Sequence, residues 1–347
     1  MTTHFASAPG KIILFGEHAV NRRQPALVTA FDRRVHCRAT VRNDDQYSFT
    51  FGEESALASR TQLLAFKIEI DGLRAAEKID ELRAITCGDF FAPVRYFLAH
   101  VIERIDGPGL DVEWRSELPI GSGMGSGAAA STALAFAAIR AASRQPEPQD
   151  VAWLAWQGDI IAHGGVASGL DSGACALGGL VRYTLVNGPE AVPLHANLPL
   201  VIGDTLVRAS TGDVNTRVRL WLQAHPYRMH LFAEIGILVD QALHALDAVD
   251  LDLLGHLMNL NQLVLEKIGV ASLEIGQLIQ AALGAGALGA KLSGSGGGGI
   301  IVALVSSERQ CDVAAAIDAA GGRSLVVAAG VDGVREEQAG AWEQAAV

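Results

Sequence analysis

Two aspartates, a lysine and an adjacent acid–histidine pair are the residues of this chain best suited to moving protons and charge. Asp159 stands four residues before His163 in Gln157-Gly158-Asp159-Ile160-Ile161-Ala162-His163, so both share one face of a predicted helix. Asp171 follows in Ser168-Gly169-Leu170-Asp171-Ser172-Gly173, a small-residue loop with no opposite charge near it in sequence. Carboxylates flanking a glycine-rich turn can hold Mg²⁺ and accept a proton, the two tasks that phosphoryl transfer gives to acids. Lys11 heads the apolar run Lys11-Ile12-Ile13-Leu14-Phe15, and Gly16-Glu17-His18 closes it. Taken singly, each has a plainer reading as a surface lysine, a solvated acid or a helix cap.

A glycine loop supplies the complementary chemistry. Leu118 to Ala130 places Gly121, Gly123, Gly125 and Gly127 at every second position, directly before an alanine-rich helical run. Backbone without Cβ atoms can curl tightly around a ligand, and a helix N-terminus behind it adds unpaired N–H donors. Together they form an anion site, most often one for phosphate. A second cluster, Gly294-Ser295-Gly296-Gly297-Gly298-Gly299, satisfies G-x-G-x-x-G but leads into a predicted strand, where a dinucleotide fingerprint must open a helix. Neither loop ends in Gly-Lys-Ser/Thr, so no Walker A sequence is present.

Composition narrows the setting. The 347 residues are 50% hydrophobic and 19% charged, enough for two domains with sizeable cores. A formal charge of −11 argues against a nucleic-acid surface. Cys37, Cys87, Cys175 and Cys311 form no disulfide framework or metal spacing, which points to a reducing, cytoplasmic compartment. No signal segment or membrane span is expected, since the longest apolar run, near Ala128 to Ile139, is too short.

The elements that must position these residues alternate in type. Strands are predicted at Lys11 to Phe15, Ala26 to Phe31, Val35 to Val41 and Tyr47 to Phe51, then helices near Thr61 to Glu77 and Phe90 to Ile105. A strand at Leu110 to Arg115 precedes the glycine loop and its helix, Ser126 to Ala142, with a further helix at Gln149 to His163. The Pro/Gly-bearing stretch Asn187 to Pro199 is the expected domain boundary, giving domains of 1–190 and 191–333 and a loosely packed tail, 334–347. Beyond it come a strand at Leu200 to Leu206, helices at His230 to Val249, Leu251 to Ile268 and Leu273 to Leu283, and a strand at Ile300 to Val305. Helix Glu308 to Ala320 and strand Ser324 to Ala328 end the second domain.

In order along the chain, these segments resemble the GHMP kinases, and within that family the mevalonate kinase branch. Ala8-Pro9-Gly10-Lys11 through Gly16-Glu17-His18-Ala19-Val20 resembles the first motif, Pro119 to Ala129 the second, and Lys291-Leu292-Ser293-Gly294-Ser295-Gly296-Gly297-Gly298-Gly299 the third. Gly203-Asp204-Thr205 through Ser210-Thr211, and Leu257 to Asn261 through Gly286 to Lys291, add to the likeness, which spans roughly Ala8 to Val305.

The resemblance implies an α+β fold of two domains, the first like domain 2 of ribosomal protein S5 and the second ferredoxin-like. It implies ATP-dependent phosphorylation of the 5-hydroxyl of mevalonate in isoprenoid synthesis, with Mg²⁺ as cofactor and a homodimer as the common assembly. Carried over by position, Asp171 is the catalytic aspartate and Lys11 its lysine partner. Asp159 falls where many relatives hold Mg²⁺ with a glutamate. Pro119, Gly121, Gly123, Gly125, Ser126, Gly127 and Ala128 fall in the ATP-phosphate motif, and Ser126 is a second candidate metal ligand. Glu17, His18, Thr211, Gly296 and Gly297 fall near the acceptor. The chain departs from the pattern at Gly125-Ser126-Gly127-Ala128, where relatives read Gly-Ser-Ser-Ala and use the second serine on Mg²⁺. It departs again at Gly164 to Ser168, where a shorter, proline-bearing segment is common. Another small-molecule kinase of the family, or a relative without catalysis, is the alternative.

Overall fold

The computed structural model describes residues 2–119, 121–165, 167–195 and 197–345. Its first half is built on one long hairpin, β1 (Thr3–Phe15) against β2 (Ala26–Val41). Lys11 therefore lies within β1 and does not head it. The polar, Pro-containing start of the strand hid its length. Pro9 sits beside a register shift between Pro9 and Gly10, a place where a missing N–H interrupts the ladder least. This sheet also contains β3 (Gln46–Phe51), β4 (Glu54–Ser59), β5 (Leu110–Ser116), β6 (Leu180–Thr184) and β7 (Gly188–Val192). Their order is β1-β2-β5-β3-β4, with β6 and β7 continuing from β2. The expected boundary stretch thus begins as strand β7, paired with β6.

Helices α1 (Arg60–Ala75), α2 (Ile79–Cys87) and α3 (Ala92–Ile105) intervene between β4 and β5. After β5 come α4 (Ser126–Ala141), α5 (Pro148–Ala162) and α6 (Leu170–Leu177). Alanine-rich α4 is apolar nearly all round, as a helix enclosed by its neighbours must be. It packs on β1, β2 and α5, and its small side chains let the glycine loop at its N-terminus approach β1.

The second half carries β8 (Pro199–Asp204), α7 (Thr211–Ala224), α8 (His230–Asp247), α9 (Leu251–Ile268), α10 (Leu273–Gly284), β9 (Gly289–Ser293), β10 (Ile300–Leu304), α11 (Gln310–Ala319) and β11 (Arg323–Ala328). Its sheet runs β11-β8-β10-β9, all antiparallel, which is the order of a ferredoxin-like unit. Strand alternation splits its side chains between two cores. Leu200, Ile202, Ile300 and Val302 join the large core of the first half, while Val201, Ile301 and Ala303 face α9, α10 and α11. The halves therefore share packed interior.

The segment after Gly333 corrects the expectation of loose packing. β12 (Arg335–Glu336) pairs with β1, and α12 (Ala339–Gln344) buries Trp342. Arg115 donates to the Trp342 carbonyl at 2.8 Å, and Arg38 and Arg115 stack on its ring. Arg34 donates to the carbonyls of Asp332 at 3.0 Å and Gly333 at 2.6 Å. The charged, alanine-rich sequence gave no sign of one anchoring tryptophan. Ala346 and Val347, also assigned to the tail, lie outside the described residues.

Candidate active site

A cleft of about 1730 Å³ opens between the two halves. On one wall Gly121, Gly123 and Gly125 all take left-handed φ angles, 69°, 91° and 82°, which fold the loop back on itself before α4. At Gly125 glycine is also required for space, because a Cβ there would stand 2.8 Å from Lys11 Cγ. The loop is fastened to β1 by Lys11, whose backbone N–H donates to Met124 O at 3.0 Å and whose Nζ donates to Gly123 O at 3.3 Å. Ser126, Gly127 and Ala128 form the first turn of α4 and also line the cleft. Pro119 does not; its carbonyl accepts from Ser122 Oγ at 2.8 Å and so shapes the loop from behind.

Lys11 Nζ reaches Asp171 Oδ2 at 3.1 Å. Asp171 is the second residue of α6, not part of a loop, and the left-handed Gly169 starts that helix. A negative side chain in a first helical turn is favourably placed. Asp159, in the last turn of α5, is buried, and its Oδ2 accepts from Ser172 Oγ at 2.8 Å. Burial pushes its carboxyl up to about 6; the Asp171 charge adds to the rise, while His163, the Ser172 hydroxyl and Lys11 oppose it. His163 does not pair with the Asp159 carboxylate. Its Nδ1 meets the Asp159 carbonyl one turn back, at 2.8 Å.

The turn after β1 supplies the opposite end. Glu17 is enclosed and pairs with Lys291 of β9, and its second oxygen, Oε2, has no hydrogen-bond partner among the described residues. Burial raises the Glu17 carboxyl and lowers the Lys291 ammonium, with each partner opposing the other's shift. His18, at φ 60°, places Nε2 2.8 Å from Ser295 O. A carbonyl only accepts, so Nε2 carries the proton and Nδ1, which has no described partner, is left as an acceptor. Burial first, with Arg22 and Arg217 adding, lowers the ring to about 4 against the Ser295 hydrogen bond, so the imidazole is neutral at pH 7. Thr211, at the start of α7, sets its hydroxyl 3.3 Å from Ser295 Oγ.

The structure therefore gathers Lys11, Glu17, His18, Asp159, Asp171 and Thr211 around the cleft with the first glycine loop. In the second glycine cluster, Gly294 and Ser295 face it. Gly296 and Gly297 stand behind, where Cβ atoms would meet Val270 O at 2.2 Å and Ala209 Cβ at 3.2 Å. Sequence reasoning passed over Ser172, Ser295 and the partnership of Lys291 with Glu17. Only the fold brings these residues to their partners.

A glycine loop before a helix, a lysine–aspartate pair and a ferredoxin-like second half define a small-molecule kinase of the GHMP type, and the chain belongs to that family. The family models for the GHMP kinase N-terminal domain and the GHMP kinase C-terminal region match residues 93–179 and 242–322. Within the family it is similar to mevalonate kinases. That of Pyrococcus horikoshii is 34% identical over 344 residues, covering 96% of this chain and 97% of the relative. That of Aeropyrum pernix is 32% identical over 301 residues, 86% of this chain and 87% of the relative. The solved L. major mevalonate kinase in complex with R-mevalonate superimposes with a TM-score of 0.72 at 26% identity, covering 94% of this chain and 95% of that one. A Lactococcus lactis galactokinase complexed with galactose, 18% identical with a TM-score of 0.76 and covering 97% and 95%, shares the fold. The two-domain α+β expectation is met. Among the described residues no helix is long and apolar enough to cross a membrane.

Proposed function

We propose that this chain transfers the γ-phosphoryl group of ATP to the 5-hydroxyl of mevalonate, giving 5-phosphomevalonate for isoprenoid synthesis. The Lys11–Asp171 pair, 3.1 Å apart beside the glycine loop, is the observation that carries the reading. An alcohol is a poor nucleophile at neutral pH. Asp171 takes its proton as the oxygen bonds to the γ-phosphorus, while the bond from that phosphorus to the bridging oxygen breaks and ADP leaves. Lys11 spans base and loop, so its charge favours the developing alkoxide and fixes the two relative to one another. N–H groups of Gly121 to Gly127 and the start of α4 take the ATP phosphates, with Pro119 and Ala128 holding the loop's two ends. His18 and Thr211, both bonded to Ser295, and Glu17 line the acceptor end of the cleft and meet the acceptor's hydroxyl groups. Gly296 and Gly297 keep the Ser295 turn close to that end.

Mg²⁺ fits the donors present. Asp159 is a buried carboxylate near the Lys11–Asp171 pair, and Ser126 faces the same cleft. The described residues contain no group of three or more acids, histidines or cysteines able to hold a metal alone. A small hard cation that draws ligands from phosphates and water suits such a site. Bound there, it would neutralise phosphate charge. The same proposal includes a domain division just after β7, a homodimer, and cytoplasmic operation, in keeping with the free thiols of Cys37, Cys175 and Cys311.

The test follows ADP release by purified protein with Mg²⁺-ATP and mevalonate, phosphomevalonate, homoserine or galactose. Turnover with mevalonate alone supports the reading. Turnover with another acceptor instead, or ATP binding without turnover, overturns it.

A further inference from the structure

We infer that Arg83 recognises the carboxylate end of the acceptor, an inference that rests on the mevalonate reading. Arg83 belongs to α2, on the first half of the molecule, and lines the cleft half-buried. Its guanidinium crosses to the second half, where Nη2 lies 3.4 Å from Thr216 Oγ1 on α7. Two glycines leave it room. A Cβ on Gly164 would stand 3.0 Å from Arg83 Nε, and one on Gly212 would stand 3.2 Å from Nη2. A side chain at either position would press on the guanidinium and shift it by a few tenths of an ångström.

Among the described residues no carboxylate comes within 4.0 Å of this guanidinium, although Asp80 faces the cleft one turn earlier on the same helix. Of the other arginines lining the cleft, Arg219 on α7 likewise meets no acid among the described residues but does not bridge to the first half, whereas the other two are engaged. Arg22 donates to His18 O at 2.6 Å and stacks on Phe232, and Arg74 donates to Tyr96 Oη at 2.8 Å. Arg83 thus keeps a planar fork of N–H donors directed into a cleft without an internal acid to receive them. That fork matches a carboxylate in a way an ammonium does not.

Its surroundings place it at the acceptor end. Gly164 precedes the segment leading to Asp171, and Gly212 follows Thr211, whose hydroxyl meets Ser295 beside His18. The Gly121 to Gly127 loop is not among its close neighbours. Mevalonate carries its reacting hydroxyl and its carboxylate at opposite ends of the molecule. With the hydroxyl at Asp171, an Arg83 contact anchors the far end and links acceptor binding to both halves of the protein.

Steady-state kinetics of Arg83→Gln and Arg83→Lys test the assignment, with mevalonate and its neutral amide as acceptors. For Arg83→Gln the KM for mevalonate is expected to rise roughly 10- to 100-fold, the value of a charged hydrogen bond, with the KM for ATP changed by less than about twofold. The wild-type preference for the acid over the amide shrinks by the same factor, and Arg83→Lys restores part of it. An unchanged mevalonate KM, a rise confined to ATP, or an unchanged acid-over-amide preference overturns the assignment. The comparison of acid with amide within Arg83→Lys serves as the readout if Arg83→Gln does not fold. Wild-type protein that fails to turn over mevalonate overturns the reaction reading itself, an outcome distinct from normal turnover with a flat Arg83 series.

Discussion

Lys291 on β9 and Glu17 in the turn after β1 form an ion pair with both side chains 0% exposed, joining the second sheet to the first motif of the chain. Lys291 Nζ also donates to Leu292 O at 2.5 Å, whereas the buried Glu17 Oε2 has no partner among the described residues. Removing one partner strands the other as a buried charge, and that costs more than the pair itself contributes. Lys291→Met is therefore expected to lower stability by about 3–5 kcal/mol. The double variant Glu17→Gln, Lys291→Met should recover much of that loss. Urea midpoints of the three proteins decide the matter; a single variant as stable as wild type would show that the pair is not a joint between the halves.

Asp171→Asn removes the proton acceptor while keeping the shape and one hydrogen-bonding oxygen. Its kcat is expected to fall by at least about 100-fold, the usual share of general-base catalysis. ATP affinity, measured by nucleotide titration, should stay near the wild-type value because the glycine loop is untouched. Substantial residual turnover would remove Asp171 as the base.

Neighbouring glycines should respond in opposite ways. Gly125→Ala meets both a left-handed φ of 82° and a 2.8 Å approach to Lys11 Cγ. It is expected to cost about 1–2 kcal/mol in backbone strain and to lower kcat by displacing Lys11. At Gly127 a Cβ meets nothing within 4 Å, so Gly127→Ser should fold normally. Its new hydroxyl is expected to lower the Mg²⁺ concentration needed for half-maximal rate. An unchanged Mg²⁺ curve would mean that the site compensates without it.

Asp159 trades stability for its position. Its native carboxyl is raised to about 6 from an ordinary 3.8, so between those values the folded state binds more protons than the unfolded state. Stability then falls as pH rises through that window, and the loss is complete at pH 7. Asp159→Asn removes the penalty and keeps an oxygen for Ser172. Thermal unfolding of ligand-free protein at pH 7 is expected to show a gain of roughly 1–3 kcal/mol, shrinking toward pH 4, together with weakened Mg²⁺-dependent turnover. A variant less stable than wild type at pH 7 would contradict this account.

Local features were legible along the chain: both glycine turns, the helices with strong 3.6-residue periodicity such as α8, α9 and α10, and the order of three motifs. Elements whose signals lie in their neighbours were not. α7 buries only Val214 and Val218, and β9 carries a lysine where a strand interior is normally apolar. That lysine is compatible with a core strand only because Glu17, 274 residues away, neutralises it. The glycine loop announced an anion site, yet its contact with Lys11, the Ser172 bond to Asp159 and the reach of Arg83 to α7 were decided by tertiary structure. Spacing along a chain fixes which backbone turns and periodic faces form. Which distant charges share one low-dielectric space depends on how those faces pack.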